Sequence, residues 1–459
     1  MFNDPDLSPL AALGGGADLR PLRALRVGMI GIGTVGAGTW RVLRRNQAPI
    51  RGRAGRGIEI VALAARNLVR AAAIVGDADV ELTDDPLYLA SHPGIDVVVE
   101  VAGGTGAARE WVLRAIAHGK HVVTANKALL AEHGHEIFAA AQRHGVTVAY
   151  EGAVAVSIPI VKALREGLAA NEIEWVAGIV NGTTNFILSK MRDEGLDFAT
   201  ALAQAQALGY AEADPTFDIE GIDAAHKITL LAANAFGTPV RFAQVQTEGI
   251  QNLQALDIAC AERLGFRVKL LGIARRRAAG LELRVHPALV PAKHLLAQVD
   301  GAMNGIFVKG DASGLTMYYG AGAGAEQTAS AVIADLVDLA RLHGAPNAQR
   351  VPHLAFHPEA LRELPVLPPT DVCTRHYLRV PIAPGAQGQA AVLQVLHECG
   401  VPVQSLCHER EDEAADAPHN LVVLTHETPE SAVAQALSRL ALTTGVAGAV
   451  TRLRVEMLE

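Results

Sequence analysis

Two side chains of opposite charge stand four residues apart in a segment that is otherwise strongly apolar. Asp223 and Lys227 lie in the stretch 222–236, most of whose other residues are Ile, Leu, Ala or Phe. Residues four apart share one face of a helix, and a helix that is apolar almost all round is normally buried. A surface salt bridge is the alternative, but buried charges are rare unless they are paired or functional. The pattern predicts an active-site helix.

The region around this helix is unusually polar for the chain. Five carboxylates and one lysine fall within residues 209–227, in a protein that is half apolar and only lightly charged. A threonine-rich turn, Asn-Gly-Thr-Thr-Asn, occupies residues 181–185 upstream. We therefore expect the chemistry of the protein to centre on residues 180–236.

A second candidate site is a glycine-rich turn near the N-terminus. Residues 25–30 predict a short strand that runs directly into Gly31, Gly33 and Gly36 of a GxGxxG pattern, and a helix follows. Between a strand and a helix, this pattern is the fingerprint of dinucleotide binding. Gly31 allows the tight turn, Gly33 lets backbone N–H groups approach a pyrophosphate, and Gly36 permits close packing. The N-terminus of the helix adds a partial positive charge.

The second predicted strand, residues 58–64, is followed by Arg66. An NAD-selective site usually has an acidic residue at this strand end, which binds the ribose 2′-hydroxyl, whereas Glu59 lies at the opposite end. An arginine suits the 2′-phosphate of NADP better, although a solvated surface arginine explains the same residue equally well. The sequence therefore predicts either a preference for NADP or the use of both NADP and NAD.

Three further strands complete a predicted parallel sheet. Residues 95–100 form a near-continuous apolar run, as expected of a strand covered on both faces, and they open onto a small-residue turn containing Gly103. The next strand delivers Asn126 and Lys127 to the same carboxyl edge, where ligands of doubly wound sheets bind. A helix-start lysine facing solvent is the alternative for Lys127. Residues 146–151 predict the last strand.

The remaining sequence predicts two more domains. The alternation of strands and helices loosens after the parallel sheet, which is typical of an α+β domain. An amphipathic helix at 328–340 is expected to return to the nucleotide-binding domain. The last part gives strand, helix, strand, strand, helix, strand, a ferredoxin-like order. The predicted division is a flexible extension (1–22), a Rossmann-type dinucleotide-binding domain (23–150 with about 320–345), an α+β catalytic and dimerisation domain (151–319), a proline-rich linker (346–374) and a βαββαβ domain (375–459).

Composition argues against several functions. The net charge of −8, with scattered lysine and arginine, leaves no nucleic-acid footprint, and the basic stretch 41–56 is interpreted as a solvated loop. Four irregularly spaced cysteines form neither a zinc motif nor a disulfide framework, which suits a reduced, cytoplasmic setting. We find no signal-peptide pattern and no apolar run of membrane length. We expect a cytoplasmic protein without nucleic-acid or membrane partners.

Taken together, these motifs resemble homoserine dehydrogenase over roughly residues 25–345. The resemblance implies NAD(P)-dependent interconversion of L-aspartate 4-semialdehyde and L-homoserine, a step in threonine, methionine and isoleucine biosynthesis. The segments that carry it are Gly31-Ile-Gly-Thr-Val-Gly36, Gly119-Lys-His-Val-Val-Thr-Ala-Asn-Lys127-Ala-Leu-Leu, Asn181-Gly-Thr-Thr-Asn185, Gly209-Tyr-Ala-Glu-Ala-Asp-Pro215 and Gly221-Ile-Asp-Ala-Ala-His-Lys227.

By the same resemblance, Lys227 is the general acid and Lys127 a second cation near substrate and nicotinamide. A charged lysine can donate readily to the alkoxide that forms when an aldehyde is reduced. Asp223 would orient Lys227 and contact substrate, Glu212 would hold the substrate amino group, and Asp218 would support them. A salt-bridged core is the alternative for each carboxylate, and we consider it less fitting for Glu212 and Asp223. The expected cofactor contacts are Gly31, Gly33, Thr34, Val35, Gly36, Arg66, Gly103, Lys127, Gly209 and Gly324.

The family also implies an ion, an effector and an oligomer. The Glu151 carboxylate and the backbone carbonyls of Val154, Val156 and Ile158 would hold a sodium ion, for which hard oxygen ligands are suitable. The turn here lacks the more usual glycine pair. The last domain resembles an ACT domain, a ligand-sensing module, although residues 383–393 depart from its compact turn. Threonine is the expected effector, and a homodimer or homotetramer is the expected assembly.

Three rival interpretations predict different residues. Aspartate-semialdehyde dehydrogenase would need a catalytic cysteine, but Cys260, the first in the chain, lies outside every motif. A non-catalytic NAD(P)-sensing protein would not need both Lys127 and Lys227. A kinase–dehydrogenase fusion is not expected, since only about 25 residues precede the first strand.

Overall fold

The predicted strand at residues 25–30 begins a sheet of six parallel strands. The structure, a computed structural model, describes residues 22–346, 349–383, 386–410 and 419–459. The expected N-terminal extension therefore lies, apart from Leu22, outside the described residues. The sheet strands are β1 (Leu25–Ile30), β2 (Ile58–Ala64), β3 (Glu81–Thr83), β4 (Val97–Glu100), β5 (His121–Thr124) and β6 (Val148–Ala149).

The order of this first sheet is β3-β2-β1-β4-β5-β6, and every pairing is parallel. The order reverses between β1 and β4, the place where doubly wound sheets bind ligands at their carboxyl edge. The predicted Rossmann-type sheet is confirmed, although the strands expected at 95–100 and 146–151 are shorter than predicted. The helices that cover it are α1 (Thr34–Arg45), α2 (Gln47–Ala54), α3 (Leu68–Val75), α4 (Pro86–Ser91), α5 (Gly106–Ala117) and α6 (Lys127–His144).

The basic stretch 41–56 is not the solvated loop that we predicted. It contains the end of α1 and the whole of α2. Leu43, Ile50 and Ala54 are buried in one apolar cluster, while most of the arginines point outward. Arginine and alanine are good helix formers, so an exposed basic face does not prevent a helix.

A second, mixed sheet follows. The elements between residues 160 and 341 are α7 (Ile160–Lys162), a π-helical turn (Ala163–Gly167), β7 (Ile173–Ile179), α8 (Gly182–Glu194), α9 (Phe198–Ala207), α10 (Thr216–Ile219), α11 (Ile222–Phe236), β8 (Gln246–Thr247), α12 (Ala255–Arg263), β9 (Phe266–Arg277), β10 (Gly280–Pro291), β11 (Met303–Gly310), β12 (Gly314–Ala321) and α13 (Ala325–Arg341). β7, β9, β10, β11 and β12 pair antiparallel in the order β12-β11-β7-β9-β10.

Helix α11 lies on this second sheet, as its apolar sequence requires. It begins after Gly221 and ends at Gly237, both in the left-handed conformation that favours glycine (φ +82° and +60°). Every side chain from Asp223 to Phe236 is buried. A Cβ at Gly272 of β9 would lie 3.2 Å from Ile228, so the glycine lets the helix approach the strand closely. The predicted burial of this helix is confirmed.

Helix α13 returns from the second sheet to the first. A Cβ at Gly38 of α1 would lie 2.5 Å from the carbonyl oxygen of Ala325, so the two helices touch along their backbones. Val332 and Leu336 share an apolar cluster with Leu43, and Arg45 pairs with Glu326 at 2.8 Å.

The C-terminal module, defined here as the described residues of 373–459, has the predicted βαββαβ order with one additional short strand. Its elements are β13 (Cys373–Ile382), α14 (Ala386–Glu398), β14 (Val403–Arg410), β15 (His419–Thr425), β16 (Thr428–Pro429), α15 (Glu430–Leu440) and β17 (Thr451–Val455). The sheet order β17-β13-β15-β14 places the last strand beside the first, as in a ferredoxin-like fold. Pro384 and Gly385, in the turn where we noted a departure from the ACT pattern, lie outside the described residues.

The C-terminal module continues the second sheet. Residues 288–289 of β10 pair in parallel with residues 454–455 of β17, so one sheet of eleven strands runs through both parts. The proline-rich segment predicted as a linker is itself packed against this sheet. Its Pro365 carbonyl accepts the N–H of Leu281, and the N–H of Leu367 donates back to the Leu281 carbonyl, both at 2.8 Å. Among the helices that the structure describes, none has the length and apolarity needed to cross a bilayer.

We expect protonation of His121 to weaken the fold in mild acid. Its Nδ1 accepts the N–H of Thr147 at 3.0 Å, which ties β5 to the residue before β6. Burial, with a smaller contribution from Arg350, lowers the pKa of His121 from 6.5 to about 4. Because this pKa is lower in the folded state, the stabilisation is present above pH 6.5 and is lost as the pH falls toward 4.

The measurement is urea unfolding of the wild type and His121→Asn at about pH 7.5 and about pH 4.5. The shift corresponds to about 3 kcal/mol of acid-labile stability. The asparagine oxygen can accept the same N–H without titrating, so the variant should lose correspondingly less stability in acid. Equal acid losses in both proteins would contradict the assignment.

Candidate active site

The glycine turn after β1 leaves open the space that a pyrophosphate needs. Gly31 is left-handed (φ +104°), and a Cβ there would lie 2.9 Å from backbone atoms of the turn after β4. A Cβ at Gly36 would lie 2.2 Å from the Gly31 carbonyl oxygen, whereas one at Gly33 would meet nothing within 4 Å. Thr34 and Val35 open α1, where the first N–H groups of a helix have no partner within it. The turn has no room for a side chain at Gly31 or Gly36, where backbone segments pack together. It leaves space at Gly33, where a pyrophosphate would lie.

Arg66 and Gly103 lie along the same carboxyl edge. Arg66 is exposed just after β2, and Gly103 is an exposed left-handed residue (φ +79°) in the turn after β4. Glu100, which we did not single out from the sequence, fixes that turn. Its Oε1 accepts the N–H groups of Ala102 and Gly103 at 2.9 Å each, and its Oε2 accepts the Thr124 hydroxyl at 2.8 Å.

Lys127 is positioned by the N-terminal cap of α6. The Asn126 amide oxygen accepts the N–H of Leu129 at 3.1 Å, and its amide nitrogen donates to the Gly104 carbonyl at 2.7 Å. This cap binds α6 to the turn that contains Gly103 and places Lys127 as the first helical residue. The Lys127 side chain is 32% exposed, and its Nζ lies 2.9 Å from Oδ1 of Asp223.

Asp223 joins this edge to helix α11. Its Oδ2 accepts from Nζ of Lys227 at 2.6 Å, one turn along the helix, while Oδ1 faces Lys127. Lys227 also donates to the Val180 carbonyl at 2.7 Å, at the end of β7. Both Asp223 and Lys227 are buried, so the pair is not the exposed salt bridge that we weighed as the alternative. Asp223 thus binds two lysines: Lys127 of α6, which covers the first sheet, and Lys227 of α11, which lies on the second sheet.

Asn181 connects a second carboxylate to the first. Its amide nitrogen donates to Oδ1 of Asp218 at 2.6 Å and to Oδ2 of Asp223 at 2.8 Å. Its amide oxygen caps α8 by accepting the N–H of Thr184 at 2.8 Å. We expected chemistry near the threonine-rich turn but assigned Asn181 no role.

The remaining predicted residues lie on more exposed loops. Glu212 is exposed in the loop after α9, and its charge adds to the field at Lys127. Gly209 starts that loop with a left-handed backbone (φ +75°), and Gly324 precedes α13 with φ +138°. The loop is tied down where the Thr183 hydroxyl donates to the Tyr210 carbonyl at 2.7 Å.

Electrostatics in the cluster favour the ionised forms of Asp223 and Lys127 and disfavour those of Lys227 and Asp218. Burial alone would raise the pKa of Asp223, but Lys227 and Lys127 together hold it well below its usual range. Asp223 raises the pKa of Lys127. Burial lowers the pKa of Lys227 despite its partner, and burial with the nearby Asp223 raises the pKa of Asp218. Lys227 is thus the more acidic of the two lysines relative to its usual value.

Glu151, expected to bind sodium, is buried in a crowded loop. Its two oxygens accept the N–H groups of Val161 and Lys162 at 3.0 and 2.8 Å. Its own N–H donates to Asp335 at 2.8 Å, and burial with Asp335 raises the pKa of Glu151 to about 7. Ala155 in the same loop has φ +52°, a strained conformation for alanine. Val154, Val156 and Ile158 follow in this loop, and Ile158 is held by its N–H bond to the Ala155 carbonyl at 2.8 Å.

The cysteine alternative finds no support in this geometry. Cys260 is buried on α12, and burial raises the pKa of its thiol. Its sulfur accepts from Arg263 on the same helix at 3.4 Å. A buried thiol with a raised pKa is a poor nucleophile.

The parallel sheet, its open glycine turn and the lysine–carboxylate cluster at its carboxyl edge define a dinucleotide-dependent oxidoreductase. Residues 31–151 match the family model described as homoserine dehydrogenase, NAD binding domain. Residues 159–337 match the model described as homoserine dehydrogenase. These matches span more than half of the chain, which therefore belongs to the homoserine dehydrogenase family, NAD(P)-dependent oxidoreductases. The resemblance read from the motifs is confirmed.

Relatives match along almost the whole chain. Homoserine dehydrogenase of Pseudomonas aeruginosa is 51% identical over 95% of this chain and 100% of its own length. That of Neisseria gonorrhoeae is 49% identical over the same shares. A homoserine dehydrogenase structure from Thiobacillus denitrificans is 53% identical, with a TM-score of 0.90 over 95% of this chain and 99% of that one. A hyperthermophilic archaeal homoserine dehydrogenase in complex with NADPH is 25% identical with a TM-score of 0.59, over 69% of this chain and 97% of that one.

Filling the open space at Gly33 should weaken cofactor binding without unfolding the protein. The backbone at Gly33 has φ −68°, which any residue can adopt, and no atom lies within 4 Å of a Cβ built there. A side chain at this position therefore meets no neighbour in the protein. We expect Gly33→Val to raise the Kd for NADPH at least ~10-fold, equivalent to about 1.4 kcal/mol, while the melting temperature of the cofactor-free protein stays near that of wild type. Kd is measured by fluorescence titration.

Gly36→Ala is the matched comparison, because its methyl group would collide with the Gly31 carbonyl and should lower the melting temperature itself. If Gly33→Val bound NADPH as tightly as wild type, the pyrophosphate could not lie against this turn.

Proposed function

We propose that this chain interconverts L-aspartate 4-semialdehyde and L-homoserine with NAD(P)(H), and that Lys227 exchanges the proton. The observation that carries the assignment is the buried cluster in which Asp223 lies 2.6 Å from Lys227 and 2.9 Å from Lys127. A binding-only protein would gain nothing from burying Lys227 beside a carboxylate that a second, partly exposed lysine also contacts, since burying charges is costly. The cluster is what a reaction that needs a proton and an anion-stabilising group requires.

In the reducing direction, the carbonyl carbon of the aldehyde gains a hydride and its oxygen gains a proton. The bound reduced nicotinamide supplies the hydride. The ammonium group of Lys227 donates the proton as negative charge develops on the oxygen, and burial already lowers the pKa of Lys227. In the reverse direction the neutral amine accepts the hydroxyl proton of homoserine. Exchange with solvent restores the lysine.

The other members of the cluster hold the substrate and tune Lys227. Asp223 aims the Lys227 ammonium group through the 2.6 Å hydrogen bond. Lys127, one-third exposed at the edge of the first sheet, stabilises the developing alkoxide from the cofactor side. Glu212 pairs with the substrate ammonium group, for which its exposed position on the 208–215 loop leaves access. Asp218 and Asn181 keep Asp223 in place.

For the cofactor, Arg66 supports NADP, because it is an exposed residue just after β2 and a guanidinium suits a 2′-phosphate. Arg66→Ala should then lower kcat/KM with NADP more than with NAD.

For the ion, Glu151 and the carbonyls of Val154, Val156 and Ile158 would hold sodium. A cation fits there because Glu151 of the strained loop is buried against a second carboxylate, Asp335 of α13. Lys162 contacts Asp335 and Asp338 at the same place. Replacing sodium by choline chloride tests the ion.

For the assembly, the edge strand β12 supports a dimer or tetramer. Leu315 and Tyr319 on one face of β12 are 44% and 58% exposed, and within the described residues β12 pairs only with β11. Exposed apolar edges invite pairing with another chain, and a second copy is the occupant we propose. Sedimentation of wild type and Tyr319→Asp tests the assembly.

For the effector, threonine or a related amino acid acts through the C-terminal module, and the rates with and without threonine test this.

The decisive experiment is the initial rate of homoserine-dependent NAD⁺ or NADP⁺ reduction by wild type and Lys227→Ala. We expect the variant to lose at least ~10²-fold in kcat, as loss of a general acid or base typically costs. Lys293→Ala, at an exposed lysine far along the chain from the cluster, is the control and should retain the wild-type rate.

A wild type that binds cofactor but reduces neither NAD⁺ nor NADP⁺ with homoserine would refute the reaction and favour the sensing alternative. A wild-type rate in Lys227→Ala would leave the reaction standing and refute the lysine's role. Recovery of the rate at higher pH in the variant would indicate that hydroxide replaces the missing base.

A further inference from the structure

Lys127 contacts an aromatic ring as well as Asp223. Its ammonium nitrogen lies 5.7 Å from the centroid of the Phe217 ring, within the distance of a cation–π contact. The same nitrogen lies 2.9 Å from Oδ1 of Asp223. Two neighbouring elements thus hold one positive charge: α11 with a carboxylate and α10 with an aromatic ring.

The backbone that carries Phe217 is anchored on both sides of this residue. Asp218, the next residue, accepts from the Asn181 amide at 2.6 Å, which ties α10 to the lysine–carboxylate cluster. The Ile219 carbonyl at the end of α10 accepts the N–H of Ile250 at 2.8 Å. The ring is therefore attached to a fixed turn of helix, although it is 37% exposed.

Phe217 also contacts His226, a residue of α11 that directly precedes Lys227. The ring centroids of Phe217 and His226 are 5.3 Å apart, and the His226 ring lies 4.2 Å from that of Phe242, in the segment after α11. We call Phe217, His226 and Phe242 the aromatic cluster. His226 is 2% exposed, and neither of its ring nitrogens has a hydrogen-bond partner among the described residues.

A buried imidazole without hydrogen bonds requires an explanation, because buried polar groups are normally paired and unpaired ones are destabilising. A proton relay would need hydrogen-bond partners on both nitrogens. Burial lowers the pKa of His226; Lys127 and Lys227 act in the same direction, while Glu132 and Asp223 oppose them. The ring is therefore neutral near pH 7 and adds no third positive charge beside the two lysines. Its contacts with two phenylalanine rings are those of an aromatic spacer.

We propose that Phe217 is a positioning residue for the reaction. Supported by His226 and Phe242, its ring holds the Lys127 ammonium group where that group stabilises the developing alkoxide. A lysine ammonium is a point charge on a flexible stem, and an ion pair with Asp223 alone would fix it from one direction only. The ring attracts the charge from a second direction and accepts no conventional hydrogen bond, so further N–H groups of the ammonium stay available to the substrate. This inference rests on the proposed function, because it assigns a residue that positions Lys127 for that reaction.

The competing explanation is that Phe217 only covers the cluster with an apolar side chain. Leucine would then serve nearly as well as phenylalanine. The two explanations differ in the electrostatics of the ring, whose negative face attracts a cation. Fluorine atoms on the ring withdraw this negative charge and leave the shape of the side chain almost unchanged. A fluorinated series at this position therefore separates attraction from packing.

The test measures kcat and KM for homoserine oxidation in the full chain. We expect Phe217→Leu to lower kcat about 3- to 10-fold, the range of a partly exposed cation–π contact. KM for homoserine should stay within about twofold, because the alkoxide charge develops only in the transition state. Phe217→Tyr should restore most of the rate. Mono-, di- and trifluorophenylalanine at position 217 should lower kcat stepwise, and melting temperatures establish that each variant folds.

Two further variants serve as comparisons. Tyr88→Leu is the matched control, because Tyr88 on α4 is 47% exposed and its ring faces His92 rather than a lysine, with centroids 5.6 Å apart. It should retain the wild-type kcat. His226→Phe keeps an aromatic ring between Phe217 and Phe242 but removes both nitrogens. If His226 is a spacer, this variant should stay within about threefold of the wild-type kcat.

Four results would overturn the inference. A wild-type kcat in Phe217→Leu, or equal rates across the fluorinated series, would leave Phe217 a packing role only. A raised KM with unchanged kcat would make Phe217 part of the substrate-binding surface instead. A loss in His226→Phe beyond that of Phe217→Leu would assign the histidine a polar role. A wild type that does not oxidise homoserine would refute the proposed reaction itself, whereas the other three results leave that reaction standing.

Discussion

The shared use of one buried carboxylate by two lysines is the interaction on which this site depends. Asp223 is 4% exposed and contacts Lys127 from the edge of the first sheet and Lys227 from its own helix. Removing one partner from a buried ion pair typically costs about 3–5 kcal/mol, because the remaining charge is left uncompensated. The carboxyl edge of the first sheet, which would bind the cofactor, is therefore held against α11, which carries the proposed proton donor. The same charged side chains that make this contact are the ones proposed to take part in the reaction.

Hydrogen bonds to backbone atoms fix the directions of these charges. Lys227 is aimed by the Val180 carbonyl, and Lys127 by the Asn126 cap of α6. Asn181 binds both carboxylates with a single amide nitrogen, so a shift of Asp218 is felt at Asp223. Each of these partners lies at the end of a strand or at the first turn of a helix, where backbone groups lack partners within the element. The site is thus assembled from the ends of elements whose interiors are apolar.

The sequence alone was sufficient to predict those elements whose structure is determined by the local residue pattern. The bounds of β1 and α11 and the spacing of the glycines followed from a strand–turn–helix signature and an apolar helix between two glycines. The basic stretch was misread, because exposed arginines are compatible with both a loop and an amphipathic helix such as α2. Glu100 and Asn181 were missed because their roles come from partners that only the folded chain brings close, such as Thr124 and Asp218.

The continuity of the second sheet through β17 could not be read from sequence at all, and it changes what the C-terminal module is. Without β17, the outer edge of β10 would present unpaired backbone groups, which invite association with other chains. It would also leave Arg284, buried with Glu456 at 3.1 Å and Glu282 at 3.0 Å, without one of its two carboxylates. A module that supplies a strand and a buried charge to its neighbour is part of that neighbour's fold. The same strand carries Arg454, whose contact with Glu248 leads to the start of α11. The second sheet therefore depends on one strand of the module for part of its stability, an arrangement that a module appended only as a sensor would not need.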